Sequence, residues 1–311
     1  MNARKWVVVL LCALLVSGMF ACSKPAQEQA PAAESQPPAV ENQAPPAKVE
    51  AKTEATPPSE KMETIIQFVM IRKTKPTDFD ALTQLYDEKL KGYVTAADKR
   101  YGTTLDADVQ KALADGKAGK DVYAAAQTAE KSIQRAFILT FQNSLAAIID
   151  GKDGENLAML KETAPFIDGM AQRRGNSTGT GKEYTETFWA TYKAFLDAVE
   201  SKDAAKIKQT GEALSAFSNK MIVLSVFYEL KGLKDTRGTD DNTAAEKLVE
   251  ARLYHMNLAP EHQKRDAQGS ATVTAELAKA PADVDVELVG SILKKDFQSE
   301  TAGLDKNILG F

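Results

Sequence analysis

The chain has 311 residues, 43% of them hydrophobic and 26% charged, with 39 basic and 43 acidic side chains for a formal charge of −4. That length and apolar content suffice for a sizeable core, and the near balance of charge gives no electrostatic footprint for nucleic acid or a broadly anionic membrane surface. Cys12 and Cys22 are the only cysteines, so no disulfide framework holds the fold and no thiol chemistry enters the function of the body.

Residues 1–21 read as a targeting segment. Arg4 and Lys5 supply a short positive region and Trp6 to Val16 an almost unbroken apolar run, shorter than the roughly 20 residues of a membrane-spanning helix. Small residues and Cys22 follow. Met19-Phe20-Ala21-Cys22 resembles the lipobox of bacterial lipoproteins, with Met19 and Phe20 where the usual box carries Leu and a small residue. The resemblance covers residues 1–22. It implies diacylglyceryl transfer to the sulfur of Cys22, cleavage after Ala21 and acylation of the new amine. Two or three acyl chains, at about 0.8 kcal/mol per buried CH₂, make a lasting anchor. Ser23, where Asp would signal inner-membrane retention, implies the outer membrane, with the body facing the periplasm. Loss of Arg4 and Lys5 leaves 37 basic against 43 acidic side chains, a formal charge of −6.

Residues 22–60 read as a disordered tether. From residue 23 on they are rich in Pro, Ala, Glu and Gln and contain no aromatic residue, so they cannot bury enough surface to offset the entropy of ordering. A flexible chain of that length has a reach of about 35 Å.

Residues 61–311 read as an all-α helical bundle, because Ala, Lys, Glu, Leu and Gln dominate and alternating patterns are rare. Helices are expected at 61–74, 78–101, 106–116, 121–150, 154–171, 183–200, 202–231, 243–258 and 283–302. The apolar run Thr64 to Ile71 also fits a buried strand, but nothing else in the chain offers it a sheet partner. Thr77 with Asp80 reads as a capping box. In 121–150 the stripe Val122, Ala126, Ala129, Ile133, Phe137, Phe141, Ser144 and Ile148 recurs every three or four residues, with Asp121 as cap and Gly151 as stop. A comparable stripe, Ile207, Leu214, Phe217, Met221, Leu224 and Tyr228, runs toward Gly232 as the exit. Gln127-Thr128-Ala129-Glu130 matches Gln209-Thr210-Gly211-Glu212, and Phe166 falls on Tyr254. Two related units in tandem, 121–200 and 203–297, are therefore expected.

Motifs for chemistry are scarce. His255 and His262 are seven apart, but Pro260 between them is expected to end the helix and so separate the two rings; no metal site is expected. The stretch Gly175 to Glu183, GNSTGTGKE, fails the register of a phosphate-binding loop and reads as a connection between helices. No nucleophile elbow occurs, and Asp240-Asp241 and Asp283-Asp285 read as helix caps. Arg173-Arg174 and Lys264-Arg265 stand at similar places in the two units and are candidate contacts for an anion or a partner. The reading is a lipid-anchored envelope protein with a non-enzymatic binding or scaffolding domain. Its expected partners are the membrane, through acyl chains on Cys22, and an envelope protein or anionic glycan, with no cofactor. The alternative is a periplasmic binder of a small ligand, metal or haem, with Gln134, Gln142 and Asn143 as contributors.

Overall fold

Every regular element among the described residues is helical, and the computed structural model describes residues 60–304, 309 and 310. The expected anchor at Cys22 and the expected tether lie outside the described residues, apart from Glu60. The elements are α1 (Glu60–Arg72), α2 (Phe79–Leu85), α3 (Lys91–Tyr101), α4 (Leu105–Lys117), α5 (Val122–Ile149), α6 (Gly154–Thr178), α7 (Glu183–Glu200), α8 (Ala204–Thr236), α9 (Asp241–Arg265), α10 (Ala267–Glu276), α11 (Val286–Asp296) and α12 (Gln298–Thr301). A π-helical turn, Tyr86–Leu90, joins α2 to α3, so the helix expected at 78–101 runs through with a local widening. Among the described residues no helix is long and apolar enough to cross a membrane.

α5 lies at the centre. It packs against α1, α3, α4, α6, α8 and α9, and its expected stripe is buried apart from the half-buried Val122. Small residues make this possible: Ala125, Ala126, Ala129 and Ala136 let neighbouring helices approach, while Ile133, Phe137 and Phe141 fill the space between them. Phe137 is fully buried, its ring 4.4 Å from that of Tyr93 and 5.6 Å from that of Phe166. Short connections place α5 to α9 as successive neighbours, and the α8–α9 pair is the most extensive interface in the fold.

Several helix ends differ from the sequence expectation. α8 continues past Gly232 to Thr236. Gly232 is not a stop: a Cβ there would lie 2.8 Å from Cδ of Lys247, so the residue sets the close approach of α8 to α9. α9 likewise runs through Pro260 to Arg265. Pro260 and Met256, the residue whose carbonyl loses its helical donor, are both exposed, so water can serve the freed acceptor. The stretch expected as one helix over 283–302 is divided into α11 and α12 at Phe297, which is fully buried. The cap of α2 is Asp78 rather than Thr77, its carboxylate accepting from the Ala81 amide. Asp121 makes no side-chain cap and has a left-handed backbone.

Candidate functional site

Polar residues of α5 that lie on or beside its apolar stripe are buried as well. Gln127, Glu130, Lys131 and Gln134 are all under a tenth exposed, because α1 and α9 pack across them. A buried charge must be paired, and these are. The Arg72 guanidinium of α1 hydrogen-bonds Glu130. Lys131 Nζ lies 3.1 Å from Glu130 Oε1 and 3.1 Å from Glu250 Oε1 of α9. Lys247 Nζ donates to Glu250 Oε2 at 2.8 Å and to Glu229 Oε2 of α8 at 2.7 Å. The result is an alternating line, Arg72, Glu130, Lys131, Glu250, Lys247, Glu229, drawn from four helices. Gln134 donates to Glu130 Oε1 at 2.7 Å, and the hydroxyl of Tyr254 lies 3.4 Å from Lys131 Nζ.

Neighbouring charges set the ionisation along the line. Burial opposes the charge on Lys131, but Glu130 beside it holds the ammonium above its usual range. Burial likewise opposes ionised Glu250, yet Lys131 and Lys247 keep it well below the ordinary carboxylate value. Glu229, at the end of the line, is pushed up to about 7 by burial and by the adjacent Glu250. Glu250 has an ammonium on either side of it whereas Glu229 has only Lys247, so Glu229 is the higher-titrating carboxyl of the pair.

This line forms one wall of an open cleft of about 460 Å³, bordered by α1, the 73–77 segment, α5, α6, α8 and α9. Seven cationic side chains border it against four carboxylates, so the ion pairs of the wall leave positive charge over. Arg174 of α6 carries part of that excess. It is 6% exposed, its Nε and Nη1 have no hydrogen-bond partner, and its guanidinium carbon lies 4.2 Å from the ring centroid of Tyr228. Tyr228, expected in the buried stripe of α8, is 45% exposed, with Lys247 Nζ 5.6 Å from its ring centroid.

The end of α6 places Arg174. The GNST segment expected as a connection is the last turn of the helix. Ser177 and Thr178 hydroxyls donate to the Arg174 carbonyl at 3.0 and 2.8 Å. The chain then folds back so closely that a Cβ on Gly175 would lie 2.1 Å from the Gly181 carbonyl oxygen.

Of the four basic residues singled out from sequence, Arg173 and Arg174 border the cleft and Lys264 and Arg265 do not; all four lie within helices rather than loops. Arg265 is held in a double hydrogen bond to Glu300, at 3.0 and 2.7 Å, and lies over Phe297. Lys264 is exposed, 3.9 Å from Glu261. Gln142 donates to Asn219 at 3.4 Å and Asn143 to its own helix at 2.8 Å, both away from the cleft. Because α9 continues through Pro260, the two histidines share one face after all. His255 Nε2 is 3.1 Å from His262 Nδ1, and His262 Nε2 is 3.0 Å from Asp296 Oδ2. This buried chain ties α9 to α11. Burial, followed by the neighbouring His262, depresses His255 to about 4. Among the described residues no group of three or more His, Cys, Asp or Glu is placed to hold a metal ion. No family model, no curated protein and no solved structure matches the chain.

Proposed function

We propose that this chain is a lipid-anchored cell-envelope protein whose helical body is a non-enzymatic binding domain. Its ligand is a small polar molecule held in the cleft between α1, α5, α6, α8 and α9. The anchor rests on the lipobox-like segment ending at Cys22. The binding reading rests on one observation: six charged side chains from four helices line up, mostly buried, along the wall of an open cleft. Apolar residues of the same volume would often serve stability as well or better, so a charged wall beside an open cleft favours recognition over scaffolding. Its volume lies within the range of about 300–1,000 Å³ for small-molecule sites.

The test is a thermal-shift screen of the purified lipoprotein in detergent with small neutral, cationic and anionic probes, namely glucose, spermidine, glucuronate and inorganic phosphate. At least one class should raise the melting temperature, and Lys131→Met should abolish the rise. No shift with any class would contradict the binding reading. In parallel, Cys22→Ser should move the protein from the membrane to the soluble fraction; unchanged partition would refute the anchor.

A further inference from the structure

The buried line of charges does not use Arg174. Arginine has five N–H donors in a fixed plane and stays charged under all ordinary conditions, and a buried donor without an acceptor is costly. Two of the Arg174 nitrogens are in that condition, although four carboxylates border the same cleft. Those carboxylates are engaged elsewhere: Glu130 with Arg72 and Lys131, Glu250 with Lys131 and Lys247, and Glu229 with Lys247. The half-buried Glu246 is raised above its usual range by burial and partly relieved by Arg72. The guanidinium is thus held against Tyr228 at the edge of a positive cleft without a protein counterion.

The geometry points to an oxyanion subsite at Arg174 and Tyr228, for a small organic acid whose carboxylate or phosphate pairs with Arg174 and whose carbon skeleton lies on the exposed part of the Tyr228 ring. The inference rests on the binding reading above and gives its ligand a chemical class. Guanidinium groups match carboxylate and phosphate oxygens through parallel N–H···O bonds. Lys247, which also reaches the Tyr228 ring, adds long-range attraction but is already hydrogen-bonded to two carboxylates, so the first contact belongs to Arg174. An aromatic ring 45% exposed beside it offers an apolar platform. A ligand with both an acidic group and a compact ring or chain therefore fits better than a bare ion. A cationic ligand would have to approach against the excess positive charge.

The full mature lipoprotein is titrated calorimetrically with glucuronate, glucose 1-phosphate, inorganic phosphate and glucose. The two sugar acids should bind, glucose should not, and inorganic phosphate should bind more weakly than glucose 1-phosphate. Comparing the two sugar acids decides between carboxylate and phosphate as the natural acidic group. Arg174→Met should weaken sugar-acid binding about tenfold or more, the effect of losing a charge-assisted hydrogen bond, and Arg174→Lys should weaken it less. Tyr228→Leu should weaken the sugar acids and leave inorganic phosphate unchanged. Should Arg174→Met fail to fold, the Nε resonance of Arg174 in the wild-type protein, assigned by its absence from Arg174→Lys, should move on adding glucuronate and stay fixed on adding glucose. Equal binding of glucose and glucuronate, or full affinity in folded Arg174→Met, would overturn the subsite. Binding of glucose alone in this titration, or a thermal shift with spermidine alone, would overturn the subsite and leave the binding domain standing. No binding of any of the four ligands, together with no thermal shift with any probe, would overturn both.

Discussion

Glu229 sits where the alternating line of charges runs out of cations, and this gives the fold a measurable dependence on pH. Its folded-state value of about 7 lies above the ordinary 4.5, so between those two the folded state holds a proton that the unfolded chain has released. Stability from this group is present below about pH 4.5 and is lost as pH rises to about 7. Glu250 and Glu130 act in the opposite sense, since their depressed values make stability fall as pH drops below 4.5. His255 works against Glu229 within the same window, because a histidine lowered to about 4 loses stability as pH falls below its usual 6.5. The clean quantity is therefore the difference between Glu229→Gln and wild type. Urea unfolding at pH 5 and pH 8 should show the variant gaining relative to wild type by on the order of 3 kcal/mol at the higher pH. A difference independent of pH would show that Glu229 is ionised across the range.

Gly232 and Lys247 show how helix pairing and the cleft depend on one another. Replacing glycine by alanine inside a helix ordinarily stabilises by about 0.5–1 kcal/mol. At Gly232 the new methyl would press on the Lys247 side chain and lift its ammonium from Glu229 and Glu250. Gly232→Ala should therefore destabilise wild type yet stabilise the Lys247→Ala background. A double-mutant cycle in urea that finds the two changes additive would refute this coupling.

The same residue marks the limit of what sequence conveys. Period and propensity make α5 and α8 legible, and Phe137, Phe141, Leu214, Met221 and Leu224 of the two expected stripes are all buried. A glycine near a helix end, however, has the same composition whether it terminates the helix or admits a neighbour. Pro260 has the same ambiguity, resolved only by its exposure. The cleft itself was half legible: Arg173 and Arg174 stood out as a basic pair and Gln134 as a polar contributor to a ligand site, but nothing in the sequence singled out Glu130 and Lys131. Only the packing of α9 and α1 across α5 buries them. The signal that could have found them is the number of helices competing for α5, whose alanines leave room on more than one side. Each expected unit does open with a long helix followed by shorter ones, α5–α6–α7 and α8–α9–α10, and common ancestry of the two remains our proposal.

At the scale of the whole molecule, the proposed design is an acylated Cys22, a Pro-rich tether and a helical body whose cleft is walled by ions from four helices. The cleft draws on α1, α6 and α9, elements far apart in sequence, so a ligand bound there should fasten them together. The remote corner where α9, α11 and α12 meet through His262, Asp296, Arg265 and Glu300 should be indifferent to it. Hydrogen exchange of the intact lipoprotein with and without saturating glucuronate measures this directly. The account predicts slowed exchange at the C-terminal turn of α6 around Arg174, in α1 near Arg72 and in the first half of α9, with α11 and α12 unchanged. Protection confined to α11 and α12, or none at saturation, would contradict it.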